Sequence, residues 1–130
     1  MKFEHFALNV PDPVGMAEWY EKILGMKAVL LLNQEPFTRF LADETGRVTM
    51  ELYSNKAAPV PNYGSMHHLN FHCAFAVSDA DEAKNKLMAA GATYVEEVRP
   101  ADGSLLYMLR DPWGVPLQIC RRTKPFVGQL

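Results

Sequence analysis

The chain is written twice, and that repetition limits its folding more than any single motif does. A shift of 67 positions lays His5 on His72, Ala7 on Ala74, Val10 on Val77, Asp12 on Asp79 and Glu51 on Gln118. Identity between the halves is sparse, but the order of residue types is kept, and a kept order at a fixed period asks for one supersecondary unit built twice. Each half opens on an alternating strand, FEHFALNV and then NFHCAFAV, and runs directly into a helix start. Asp12 stands before Pro13, and Asp79 has Glu82 three residues on; both are capping carboxylates ahead of a first turn. One helix carries Val14, Ala17, Tyr20, Ile23 and Leu24 on a stripe and stops at Gly25. The other carries Ala83, Leu87 and Ala90 and stops at Gly91. Three strand-like runs follow each helix: Met26 to Leu32, Phe37 to Ala42 and Val48 to Tyr53, then Thr93 to Val98, Leu105 to Leu109 and Pro116 to Cys120. The prediction is an α+β fold of two tandem βαβββ modules in a single domain, 1–130. Module one spans about 1–55, a connection with Pro59, Pro61 and Gly64 about 55–68, module two about 69–122, and a tail 123–130.

Composition sets the outer bounds. With 48% apolar and 22% charged residues, 130 residues suffice for a core without disulfides or structural metal. Lys plus Arg number 13 against 15 Asp plus Glu, a net charge of -2 with no basic stripe, so no nucleic-acid partner is expected. The longest apolar run, Ala28 to Leu32, is far short of the roughly 20 residues that span a bilayer, and the opening MKFEHFALNV lacks the zones of a signal peptide. A cytoplasmic protein without a membrane partner is therefore expected, with Cys73 and Cys120 reduced and packed as small core residues.

Strand parity points to a site. Phe6, Leu8 and Val10 face one way in the first strand, His5, Ala7 and Asn9 the other. Phe71, Cys73, Phe75 and Val77 oppose His72, Ala74 and Ala76 in the same manner. Glu51 lies between Met50 and Leu52, and Gln118 between Leu117 and Ile119, so each polar side chain points away from its neighbours' apolar face. If the repeats pack about a two-fold axis, His5, Glu51, His72 and Gln118 converge on one concave surface.

These residues resemble the vicinal-oxygen-chelate superfamily, which includes glyoxalase I, methylmalonyl-CoA epimerase, extradiol dioxygenases, thiol transferases that confer fosfomycin resistance, and metal-free bleomycin resistance proteins. The likeness runs from Phe3 to about Arg121 and is carried by HFALNVPD, WYEKILGM, MELYS, FHCAFAVSDADEA and RDPWGVPLQIC in that order. It implies paired modules whose curved sheets enclose a cup, within one chain or across a homodimer. It also implies one divalent metal ion, Ni, Co, Zn, Fe or Mn, held by His5, Glu51, His72 and Gln118, a donor set that leaves positions open for a small-molecule substrate.

Gln118 departs from the glutamate that many glyoxalases and epimerases carry, and an amide is no base at neutral pH. Proton transfer then falls to Glu51 as the catalytic residue, in a glyoxalase-like lyase or an isomerase acting beside a carbonyl. A second reading takes His5, His72 and Glu51 as the two-histidine, one-carboxylate set of an Fe(II) dioxygenase, with the carboxylate on the opposite module from that in relatives. A third is a binding protein that sequesters a small molecule. Among other candidates, His67 and His68 read as solvated loop histidines and Trp19 and Tyr20 as packing residues. Trp113 reads as a lid or a loop aromatic, Arg39 and Arg110 as partners of an acidic substrate or surface charges, and Arg121, Arg122 and Lys124 as a solvated tail.

Overall fold

A computed structural model describes residues 1–126; residues 127–130 of the predicted tail lie outside it. The described chain forms two compact units, Met1–Pro61 and a second that starts at Asn62. In the first, β1 (Phe6–Asn9), α1 (Pro13–Leu24), β2 (Lys27–Leu31), β3 (Arg39–Ala42) and β4 (Val48–Tyr53) make a four-stranded sheet in the order β1-β4-β3-β2. In the second, β5 (Cys73–Ala76), α2 (Ala80–Ala89), β6 (Thr93–Val98), β7 (Leu105–Arg110) and β8 (Pro116–Arg121) repeat that order as β5-β8-β7-β6. The α+β fold of two βαβββ modules is thus present. No helix among the described residues is long and apolar enough to cross a membrane.

The caps work as the sequence suggests. Asp12 Oδ1 accepts from the Gly15 amide at 2.9 Å with Pro13 in the first turn, and Asp79 Oδ1 accepts from the Glu82 amide at 2.9 Å. Each such bond is worth about 1 kcal/mol. Gly25 ends α1 at φ 71°, the left-handed conformation that favours glycine. Gly114 is needed twice over: its φ is 86°, and a Cβ there would lie 2.8 Å from the Gly64 amide nitrogen.

Each helix covers one face of its own sheet. Met16, Ala17 and Tyr20 are the buried heart of α1, so the stripe sits slightly off the predicted one: Met16 belongs to it, while Val14, Ile23 and Leu24 are only half-buried. Leu41, Met50 and Leu52 are fully buried in the same unit. In the second unit Ala80 and Leu87 of α2 are buried, as are Leu105, Tyr107, Leu109, Leu117 and Ile119. Truncating one such leucine to alanine costs about 2 to 5 kcal/mol.

A polar contact locks α2 to its sheet. The buried Tyr107 donates its phenol proton to Asp81 Oδ1 at 2.6 Å, and Lys84 Nζ sits 4.3 Å from the centre of the same ring. The bond to Asp81, reinforced by burial, pushes the Tyr107 phenol up to about 12, while the phenol's bond holds the Asp81 carboxyl below its usual range. A raised folded-state value stabilises below the unfolded value, near 10, and that contribution is lost as pH rises toward about 12. Tyr107→Phe is therefore expected to lower the melting temperature at neutral pH. Its deficit relative to the parent should shrink between pH 10 and 12, measured by thermal unfolding across that range.

Candidate functional site

The parallel pair β1/β4 sets the first half of the site. Ala7 lies opposite Glu51, so a small, exposed residue stands beside the carboxylate, and His5, two residues earlier on the same side, reaches over it. His5 Nε2 is 3.3 Å from Glu51 Oε2, with side-chain exposures of 25% and 19%. The other nitrogen, Nδ1, lies 2.8 Å from Glu4 Oε2, and the edge of Phe40 meets the imidazole at 5.0 Å. His5 thus has a carboxylate oxygen at each of its nitrogens, Glu4 at Nδ1 and Glu51 at Nε2. A nitrogen lone pair and a carboxylate oxygen approach each other this closely at low cost only with a proton or a cation between them.

The second unit repeats the register, with Ala74 opposite Gln118. His72 Nδ1 donates to the His68 carbonyl at 2.9 Å, so in the neutral ring Nε2 is the lone-pair nitrogen. Gln118 is engaged differently from Glu51. Its Nε2 donates to Met108 Sδ at 3.1 Å and its Oε1 accepts from Cys120 Sγ at 2.9 Å. Burial pushes the Cys120 thiol up, and burial with the charge of Asp111 pushes Cys73 up to about 12. Both thiols are free and buried, so they stay protonated and are poor nucleophiles.

The structure therefore brings His5 and Glu51 into direct contact and sets His72 and Gln118 at the equivalent register with partners of their own. Among the described residues no group of three or more His, Cys, Asp or Glu side chains is placed to hold a metal ion. Each unit nevertheless carries donor types suited to a divalent cation, an imidazole with a carboxylate in the first and an imidazole with an amide oxygen in the second, and each imidazole is steadied through Nδ1. Two surface depressions of about 350 and 220 Å³ follow the loop after β2, and their walls contain none of the four predicted ligands.

Several expectations are corrected. His68 is no solvated histidine: it is 8% exposed, its Nε2 is 2.6 Å from Glu96 Oε1, and its ring stacks on His67 at 4.5 Å. The signal lay in its parity with His72 and in the doubled glutamate of TYVEEV, which breaks the alternation of a regular strand. Arg39 is neither a surface charge nor a ligand for substrate. At 5% exposure it binds the Leu32, Phe37 and Thr38 carbonyls and Asn33 Oδ1. Arg110 likewise binds the Tyr63, Gly114 and Met66 carbonyls at 2.9, 3.1 and 2.7 Å. Arg122 is half-buried, with its guanidinium 4.6 Å over Phe126, whereas Lys124 is exposed as expected. Tyr20 is a packing residue, fully buried with the Trp19 ring 5.5 Å away.

Comparison with known proteins gives one family. The model of the Glyoxalase/Bleomycin resistance protein/Dioxygenase superfamily matches residues 2–119. A lactoylglutathione lyase of Escherichia coli O157:H7 is 26% identical over 126 residues, covering 92% of this chain and 91% of its own. The crystal structure of a glyoxalase-related enzyme from Fulvimarina pelagi is similar with a TM-score of 0.71 at 21% identity, covering 99% of this chain and 94% of its own. That of TnmS3, an antibiotic binding protein from Streptomyces sp. CB03234, is similar at 0.70 and 16%, covering 95% and 97%. These structural likenesses establish the fold.

The clamp made by Arg110 gives a direct test of the second unit. Arg110→Met keeps most of the side-chain volume but strands three carbonyls, and is expected to cost about 2 to 4 kcal/mol in urea unfolding. A change below about 0.5 kcal/mol, the range of neutral surface substitutions, would show that the three bonds do not hold the segment.

Proposed function

Because the chain belongs to the Glyoxalase/Bleomycin resistance protein/Dioxygenase superfamily, we propose that it is a metal-dependent, glyoxalase-like lyase or isomerase in which Glu51 moves a proton at the carbon beside a carbonyl. The observation that carries this reading is the 3.3 Å approach of His5 Nε2 to Glu51 Oε2 on an open strand face. His5, Glu51, His72 and Gln118 hold one divalent ion of the Ni, Co, Zn, Fe or Mn class. When bound, that ion supplies Lewis-acid polarisation of the substrate oxygens. Ala7 and Ala74, small and exposed beside Glu51 and Gln118, leave room for a small oxygenated substrate. Phe40 and Met108, in register with Glu51 and Gln118, supply apolar contact. Glu51 takes the proton from carbon and returns it. Gln118 orients and coordinates but moves no proton, since its amide is no base. Similarity to lactoylglutathione lyases favours this reading over binding alone, while the antibiotic binding relative keeps sequestration as the second reading.

Metal content and solvent proton exchange test the proposal together. Protein purified without chelator is expected to carry one divalent ion, and to exchange a carbon-bound substrate proton in deuterated water without oxygen. The substrate panel comprises methylglyoxal-thiol adducts, acyl-CoA epimers and catechols. Glu51→Gln should fold and lose about 10² to 10⁴ in turnover, the usual share of a positioned base. Gln118→Glu should cost less or raise activity. Exchange by Glu51→Gln at the parental rate would overturn the assignment of the base, and a strict need for molecular oxygen would favour the dioxygenase reading.

The working assembly in this proposal is a cytoplasmic homodimer. Val29, Leu30, Leu31 and Leu32, between 44% and 54% exposed, lie along the edge strand β2 and just beyond it, an apolar edge that needs cover. Two free buried cysteines suit a reducing compartment. Light scattering at micromolar concentration is expected to give twice 14.6 kDa, and Leu31→Lys to shift the mass toward the monomer.

A further inference from the structure

His68 and Glu96 have no part in the chemistry just described. Shifted back by 67 they fall on Met1 and Val29, so the repeat does not demand them. The turn that contains His68 is closed by the Asn70 amide on the His67 carbonyl at 2.9 Å and leads straight into His72. It has little apolar anchorage, since Leu69 is 71% exposed; His68, at 8%, is its buried residue. What it is buried against is specific: His68 Nε2 lies 2.6 Å from Glu96 Oε1. Glu96 stands beside the irregularity in β6 that follows Tyr94, and it pairs with Met108, which pairs in turn with Gln118. Cross-strand partners share a face, so Glu96 belongs to the open face of this sheet, the side that carries Gln118. The His68 carbonyl, held in place by this anchor, receives the Nδ1 proton of His72 at 2.9 Å.

From this chain of contacts we propose that Glu96 and His68 are positioning residues that fix His72 as the Nδ1–H tautomer and so present its Nε2 to a divalent cation. Which imidazole nitrogen keeps the proton is set by the hydrogen bond the other side of the ring makes, and such outer partners govern ligand strength as much as the ligand does. Glu96 is 46% exposed, so its attraction to His68 is weakened by solvent and its contribution is geometric. The statement about the cation rests on the function proposed above; the statement about the tautomer does not.

Nitrogen-15 NMR of the histidine side chains in the full metal-free chain, at a pH where the imidazoles are neutral, reads the tautomer directly. The parent protein is expected to show His72 protonated on Nδ1. Glu96→Ala, which removes a half-exposed carboxylate, and His68→Ala should both give a mixture containing the Nε2–H form. Glu96→Gln, which still offers an oxygen, should keep the parental state. Titration with Zn²⁺ should show Glu96→Ala binding about 10- to 100-fold more weakly, the usual effect of losing an outer partner. A parental His72 in the Nε2–H form, or Glu96→Ala with unchanged tautomer and affinity, overturns the proposal. If His72→Ala leaves Zn²⁺ affinity untouched while Glu96→Ala still shifts the tautomer, the ligand assignment falls and the positioning role stands.

Discussion

In each unit the first strand runs parallel to the last, and this pairing governs the rest. Parallel neighbours cannot be joined by a tight turn, so each module must spend a helix and two antiparallel strands in getting from one to the other. The ladder then fixes which residues meet: Ala7 opposite Glu51, Ala74 opposite Gln118. A slip of one residue in β4 would turn Glu51 under α1 and expose Met50 and Leu52, both now fully buried. Burying a carboxylate without a partner and exposing two large apolar side chains each cost several kcal/mol. The core therefore selects the register, and the register delivers the polar residues to the open face as a by-product.

With the frame repeated, differences between the units become chemical rather than architectural. Glu51 faces the Nε2 of the His5 imidazole at 3.3 Å. Gln118, at the same register, faces two sulfur atoms, one accepting from its amide and one donating to its oxygen. A carboxylate in place of Gln118 would keep the thiol donor but would set a charge beside the thioether of Met108, which has no proton to offer. The amide suits its neighbours, and the loss of a second carboxylate is matched locally by soft partners that a neutral group tolerates.

Most of the fold was legible because its signals are local. β4 and β6 run from Val48 to Tyr53 and from Thr93 to Val98, as their alternation predicts, and both carboxylate caps form. Strand parity also placed His5 and Glu51 on one face. What escaped sequence reasoning depends on partners distant in the chain. His68 is buried through a residue 28 positions away, and the half-buried Arg110 is held by carbonyls 44 and 47 positions away. Arg39 escaped for a different reason: its partners are near in sequence, but backbone carbonyls carry no residue type, so nothing in the letters marks a loop that folds around a guanidinium. Met16 was missed because a helix stripe drawn from every third or fourth apolar residue has two solutions one position apart, and only the sheet beneath chooses.

The two histidines illustrate how unequal a repeat can become while its register stays fixed. Both have Nδ1 occupied by an oxygen, but the oxygen comes from different levels of structure. For His5 it belongs to Glu4, the adjacent side chain, which is 81% exposed and free to rotate into water at small cost. For His72 it is a main-chain carbonyl, which cannot swing away unless the whole turn moves, and the turn is pinned by a buried imidazole. The His72 ring is thus held by the fold, while the His5 ring is held by a side chain. A rigid nitrogen is of most use where the neighbouring group does not move during a reaction, and a compliant one where the neighbour gains and loses a proton. In the proposed function Gln118 only binds and Glu51 must also let go, and the difference in stiffness between the two imidazoles matches that proposed division.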